Sequence, residues 1–171
     1  MAAGSNIKEM EKFSIFNWKK GEMAFVFGVL LIVFGISFYQ LKIGEMKTRD
    51  EQRKSDLDLI SRGIRRYYND HNIYPPEATG SGKILSCGDK GEEVCEWFTG
   101  PLVDEDNVVY INKLPRDPLG DAGYTYVYEP DPERKHFKIY SALEYKGDPG
   151  YKHDLTTGCG NNVQCSWYVQ E

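Results

Sequence analysis

The stretch KKGEMAFVFGVLLIVFGISFYQL, Lys19–Leu41, decides how this chain folds. From Ala24 onward about twenty residues are almost wholly apolar, and the strongly polar Gln40 and Lys42 stand at the far end. A helix of that length crosses a hydrocarbon core of about 30 Å and satisfies its own backbone hydrogen bonds. The sequence therefore predicts a transmembrane helix over residues 22–43.

The same stretch does not match a removable secretory signal. Such signals carry an apolar region of about 7–15 residues that ends at a small-residue cleavage site. Here the run is longer, and the residues at its end, SFYQLKIGEM, contain no A-x-A-like exit. The stretch therefore favours two other interpretations, a plain membrane anchor and the stalk of a filament subunit, and a removed signal is the weaker alternative.

Flanking charge and cysteines indicate the side of the membrane on which the rest of the chain lies. Lys19 and Lys20 directly precede the apolar run, which favours a single-pass protein with a cytoplasmic leader, residues 1–21. Four cysteines form two local pairs, which indicate two disulfides in a non-cytoplasmic compartment: Cys87 with Cys95, and Cys159 with Cys165. Other pairings are possible, and a zinc site of all four cysteines is the rival, although zinc ligands are usually closer in sequence.

The composition argues against several classes of function. The chain has 171 residues and a formal net charge of −5 with dispersed basic residues, so we expect no nucleic-acid-binding surface. None of the histidines stands beside a serine or cysteine in a recognisable nucleophile arrangement: His71, His136 and His153. The sequence therefore predicts neither a catalytic site nor a required cofactor.

Beyond the membrane the helix is expected to continue through residues 44–72. Its apolar stripe is interrupted in the middle by Asp50 and Arg53, which predicts a polar neck between two apolar ends. The stripe consists of Ile43, Met46, Leu57, Ile60, Ile64 and Tyr67. Asn72 favours the left-handed conformation that ends a helix, and Pro75–Pro76 prevents its continuation.

Residues 73–171 are expected to form a globular, β-rich head. GYTYVYE (Gly123–Glu129) and HFKIYSAL (His136–Leu143) alternate apolar and polar side chains, which predicts an antiparallel hairpin. A third strand is expected in CSWYVQ, Cys165–Gln170. The fold class is therefore α+β, with a long helix packed on a small antiparallel sheet.

The segment Pro76–Lys113 is rich in glycine and charge. We expect it to be a loop with one disulfide, and a short helix or strand near Glu93–Phe98 is the alternative for that stretch.

The loop EYKGDPGYKHDL, Glu144–Leu155, offers candidate ligands for calcium. Ca²⁺ takes about six to eight oxygen ligands, chiefly from carboxylates and carbonyls. Asp148, Asp154 and Glu144 are the candidate carboxylates. An ordinary surface turn is the alternative.

Within the apolar helix, Gly28 and Gly35 are seven residues apart and therefore share nearly one face, where a second helix can approach closely. Glu22 stands at the edge of the hydrocarbon and needs a role or a partner. An interfacial ion pair with Lys19 or Lys20 is the simpler alternative.

Three stretches together resemble the type IV pilin and type II secretion pseudopilin superfamily, most of all the major pseudopilin. The first is the lysine, glycine and apolar helix of Lys20–Leu41. The second, Arg49–Pro76, is similar to the pilin helix that ends in YY-x-D-x-x-x-YP. The third, LPRDPLGDAGYTYVY at Leu114–Tyr128, is similar to the LP-x-DP-x-G-x-x-Y-x-Y segment that opens the pseudopilin sheet.

The resemblance implies a pilin-like filament subunit, with its head outside the cytoplasmic membrane and its helix packed in a filament core. It also implies cleavage by a prepilin peptidase after Gly21, and an assembly ATPase and inner-membrane platform as partners. The major pseudopilin carries calcium in the loop after its hairpin, and Asp148 and Asp154 match that place.

The leader departs from the family pattern. Cleavage after Gly21 would make Glu22 the first mature residue and put Val26 where the family has its glutamate. Aligning Glu22 with that glutamate instead leaves WKKG in positions that should be apolar. A permanently anchored surface protein with a pilin-like binding head, outside any filament, is therefore the alternative.

Overall fold

The structure is a computed structural model, and it describes residues 19–171. Residues 1–18, which hold most of the predicted leader, lie outside the described residues. The chain divides into two compact units, Met1–Leu41 and Lys42–Glu171. The second unit contains the sheets and both disulfides.

Helix α1 spans Lys20–His71, which is 52 residues. It ends where the sequence predicts, because Asn72 has a φ of 56° and donates its N–H to the Tyr68 carbonyl. The prolines that follow cannot extend the helix. The predicted continuation beyond the apolar run is therefore confirmed.

The head contains seven short strands in three antiparallel sheets. Two 3₁₀ turns, Asp89–Gly91 and Gly120–Ala122, connect some of them. The two-stranded sheets pair β1 (Leu85–Cys87) with β2 (Glu93–Val94), and β3 (Leu102–Val103) with β4 (Val109–Ile111). The three-stranded sheet has the order β5 (Val127–Pro130), β6 (Phe137–Ser141), β7 (Trp167–Gln170).

The three-stranded sheet confirms the predicted hairpin and third strand. Tyr128 pairs with Ile139, and Ile139 pairs with Val169. Phe137 and Ile139 are buried whereas Lys138 between them is exposed, as the alternating pattern requires. The hairpin strand begins at Val127 rather than at Gly123, because the residues before it pair elsewhere or lie in turns.

The prediction for Pro76–Lys113 was right about the disulfide and about a short strand near Glu93, but wrong in treating the rest as loop, since β1, β3 and β4 also lie in this segment. These strands are two or three residues long, which is too short for an alternating pattern to be recognised in the sequence. Tertiary contacts order them instead. The Cys87–Cys95 disulfide links β1 to the residue after β2, and Ser86 donates its hydroxyl to the Val103 carbonyl.

The core of the head forms where α1 lies against the sheets. Leu57, Ile60 and Ile64 are fully buried in one cluster with side chains from the strands, among them Tyr128 and Ile139. The outer part of the helix therefore covers the sheet with the predicted stripe, and the α+β architecture is confirmed at this level.

Gly63 permits a close approach of α1 and β4. A Cβ atom at this position would clash with Cγ1 of Ile111, so any larger residue requires Ile111 to move. Gly63 lies inside α1, where glycine destabilises a helix because it loses more backbone entropy on folding than other residues. Close packing, and not a turn, explains its presence here.

The predicted polar neck contains the expected charges, but the structure buries them. Asp50 is 1% exposed and Arg53 is 0% exposed, so the middle of the stripe is as dry as the apolar residues that follow it. The two charges face each other within the helix and are joined by carboxylates from the head.

Candidate functional site

The first candidate site is the apolar part of α1. No residue in the most apolar part of α1 is buried. The large side chains there are exposed, with 73% of Phe25 and 72% of Leu31 accessible to solvent. By length and composition the helix can cross a membrane. A contiguous apolar surface of this kind is stable only in lipid or against another apolar surface.

Gly28 and Gly35 lie within this exposed surface. A Cβ atom built on either glycine has no neighbour within 4 Å. The absence of side chains there leaves room for a second helix to come close to the α1 backbone.

Glu22 and Gly21 lie in the first turn of α1. The Glu22 carboxylate accepts a hydrogen bond of 3.1 Å from the backbone N–H of Lys19, which caps the N-terminus of its own helix. This contact is to the Lys19 backbone, whereas the sequence suggested a lysine side chain as the simple partner.

The second candidate site is an ion network built around Arg53. Its guanidinium holds Asp117 through two parallel bonds of 2.8 and 3.0 Å, a planar fork that matches the carboxylate. Nη1 also donates to Asp50 at 2.8 Å and to Glu144 at 2.7 Å. One buried cation therefore joins α1 to two separate segments of the head.

Arg49 completes the network. It donates to both oxygens of Glu144, at 2.8 and 2.7 Å. Asp50 in turn accepts from the backbone N–H groups of Glu144 and Tyr145 at 2.9 and 2.8 Å. Every charged group in the network thus makes at least two hydrogen bonds, which a buried charge needs.

The network controls the protonation of its members. Burial alone would lower the pKa of Arg53, but hydrogen bonds to Asp117 and Glu144 outweigh burial and raise the pKa. Burial would raise the pKa of Glu144, but hydrogen bonds from Arg49 and Arg53 hold it below its usual value. Arg53 and Glu144 therefore both stay charged in the folded head at neutral pH.

The three carboxylates predicted for calcium are not brought together. Glu144 is bound by two arginines, and Asp148 accepts from Lys54 at 2.7 Å and from the Gly150 N–H at 2.8 Å. Asp154 is exposed. Among residues 19–171, no group of three or more histidine, cysteine, aspartate or glutamate side chains is arranged to hold a metal ion. The donor set in this arrangement does not fit calcium.

The four cysteines form the two disulfides whose partners the sequence pairs locally. Cys87 is joined to Cys95 and Cys159 to Cys165, and the described chain contains no free cysteine. All four sulfurs are thus used, so a zinc site formed by these thiols is not compatible with the structure.

A cluster at the end of α1 was not predicted from the sequence. The hydroxyl of Tyr110 lies 2.9 Å from both Asp104 and Asp70, and Nε2 of His71 lies 3.1 Å from Asp104. The His71 ring also stacks on Tyr67 at 4.2 Å. We interpret this cluster as a polar contact that fastens the helix end to the β3–β4 turn. Its members are too far apart in sequence to form a motif.

Comparison with protein-family models, with curated proteins and with solved structures finds no match for this chain. The fold and the sites define the class only as an α+β protein. Its head is disulfide-bonded, and its N-terminal helix is long and apolar enough to cross a membrane.

Proposed function

We propose that this chain is a structural subunit of a type IV pilus or type II secretion pseudopilus, and that it assembles through its apolar helix. The observation that carries the proposal is that the first part of α1 exposes an apolar surface, while the last part of the same helix buries a stripe in the core of the head. A chain of this kind can exchange lipid around its helix for the helices of neighbouring subunits.

Repetition of such a contact from subunit to subunit is head-to-tail and generates a helical filament. Gly28 and Gly35 are the positions where helices would pack most closely. The work of extraction would come from an assembly ATPase acting through an inner-membrane platform.

In this proposal the protein starts as a single-pass membrane protein with a cytoplasmic N-terminus. The two disulfides support a head outside the cytoplasm, since such bonds persist in oxidising compartments. A prepilin peptidase would cut after Gly21 before the subunit leaves the membrane.

The second candidate is a permanently anchored surface protein whose head binds a partner. The atypical leader favours it, since Val26 stands where the family has a glutamate and Glu22 caps its own helix. This candidate predicts that an unrelated apolar helix can replace residues 23–43 without loss of function.

The deciding experiment is the intact mass of the protein in two fractions of the native cell, sheared surface filaments and residual membrane. A sheared species that lacks everything through Gly21 supports the filament subunit. A full-length species confined to the membrane contradicts it and favours the anchored protein.

A pair of variants tests the packing surface in the same assay. Gly28→Leu with Gly35→Leu keeps the helix apolar but fills the close-approach face, so we expect insertion to persist and the sheared species to be lost. Val26→Leu with Val33→Leu, at the same spacing but on the opposite side of the helix, is the matched control and should assemble. Equal assembly of both variants would contradict packing through the glycines.

A further inference from the structure

The neck loop, defined as residues 144–150, lies between β6 and the last strand and contacts α1. Three cations of the helix reach its carboxylates at 2.7–2.8 Å: Arg49 and Arg53 bind Glu144, and Lys54 binds Asp148. The cations come from less than two turns of α1, so they present positive charge to one side of the loop.

The loop is also tied to the helix and to itself through its backbone. Asp50 accepts the N–H groups of Glu144 and Tyr145. Asp148 donates its N–H to the Tyr145 carbonyl at 3.0 Å and accepts from Gly150 through its side chain. Lys47 lies 4.5 Å from the centre of the Tyr145 ring, which adds a cation–π contact.

A divalent cation in such a loop would neutralise its carboxylates and hold the backbone in a turn. Here both carboxylates of the loop are already paired with cations of the helix, because Glu144 accepts from Arg49 and Arg53 and Asp148 accepts from Lys54. A metal ion would have to displace these donors and would meet the positive charge of three side chains.

We propose that Arg49, Arg53 and Lys54 close the neck loop in place of a divalent metal ion. The chain supplies its own cations, so the loop keeps its conformation in the absence of calcium. The proposal does not depend on whether the protein assembles into a filament.

Lys54 gives the cleanest test because it lies at the edge of the cluster, with 25% of its side chain exposed. Full-length protein in detergent micelles is treated with trypsin, and the rate of cleavage after the exposed Lys146 of the neck loop is followed by mass spectrometry. We expect the wild-type rate to be the same in excess EDTA and in millimolar CaCl₂. Lys54→Gln should raise the rate about fivefold or more, since the loop opens more often.

Two variants control for general effects. Lys54→Arg keeps the cation and should stay near the wild-type rate. Arg62→Gln removes a helix cation that pairs with Asp58 on the exposed surface, and it should leave the neck loop unchanged. Protection of Lys54→Gln by CaCl₂, with no effect on the wild type, would support the proposal further. Faster cleavage of the wild type in EDTA, or an unchanged rate in Lys54→Gln, would overturn it.

Discussion

Arg53 is the residue that most directly joins the helix to the head. A charged side chain with no exposed surface is costly unless it is fully paired, and Arg53 is paired with three carboxylates. The partners lie on α1, on the segment before the hairpin and on the neck loop, so one side chain sets the register between these three parts. Such specificity is one use that buried ion pairs have.

The first prediction concerns the loss of this cation. Arg53→Met keeps much of the side-chain volume but leaves Asp50, Asp117 and Glu144 without their shared partner, so we expect the free energy of unfolding to fall by about 3–5 kcal/mol. Arg62→Met, which removes an exposed arginine from the same helix, should change it by less than about 0.5 kcal/mol. Chemical denaturation in micelles measures both, and similar values for the two variants would contradict a structural role of Arg53.

The second prediction concerns acid. The hydrogen bond from Lys54 lowers the pKa of Asp148, and the two arginines lower that of Glu144. A carboxyl whose pKa is lowered by folding stabilises the folded state above its unfolded pKa of about 4, and this contribution is lost as pH falls through the folded pKa. We therefore expect the free energy of unfolding to fall as the pH is lowered below about 5.

Other carboxyl groups contribute to the same pH dependence, and the variant Lys54→Gln isolates the contribution of Asp148. Burial raises the pKa of Asp56, which gives the opposite slope, and hydrogen bonding lowers those of Asp104 and Asp131, which adds to the acid loss. In Lys54→Gln, Asp148 loses the cation that lowers its pKa, so the fall in stability with acid should become smaller. A steeper fall in the variant would show that the sign is wrong.

At the scale of the elements, α1 has two kinds of surface. Its first part exposes apolar side chains on all sides, and its last part buries a stripe against the strands. The contact between α1 and β4 depends on Gly63, because an added Cβ there would meet the Ile111 side chain. Helix propensity alone would favour alanine there.

The third prediction uses this contact. Gly63→Ala places a Cβ against Ile111, and we expect it to lower the free energy of unfolding by about 1–3 kcal/mol despite the better helix propensity. Combining it with Ile111→Ala removes the clash, so the double variant should lose less than the sum of the two single changes. Gly44→Ala, where the added Cβ meets nothing within 4 Å, is the control and should not destabilise. Additive losses in the double variant would contradict the close contact.

At the scale of the whole molecule, the head depends on two covalent links as well as on its core. Each disulfide closes a short loop, between residues eight and six positions apart. One link orders the small β1–β2 sheet, and the other lies in a second buried cluster with Tyr140 and Ala142. Stabilisation of about 2 kcal/mol is expected from short loops of this kind.

The fourth prediction tests both links and the compartment of the head. Maleimide labelling of unfolded but unreduced protein from the native membrane should modify none of the cysteines, whereas labelling after reduction should modify four. The result follows because disulfide sulfurs do not react as thiolates. Labelling of unreduced protein at any cysteine would mean that a link is absent, and with it the argument for an oxidising compartment.

Much of this architecture could be predicted from the sequence because it depends on neighbours along the chain. The apolar run, the left-handed Asn72, the local cysteine pairs and the alternation in the hairpin are all patterns within a few residues of each other. The short strands β1 to β4 could not be predicted in this way, because their order comes from contacts with other parts of the head.

The sequence by itself was enough to predict a long helix, apolar at its start, and a β-rich head with two local cysteine pairs. Only the tertiary structure decided which charged side chains pair with each other. Arg53 meets Asp117 across 64 positions, and Arg49 meets Glu144 across 95. Local patterns contain no information about such partners, so the same aspartates, glutamates and arginines were consistent with a polar neck or a calcium loop. The fold brings opposite charges together in a buried site, and burial favours pairing because an unpaired charge there is too costly.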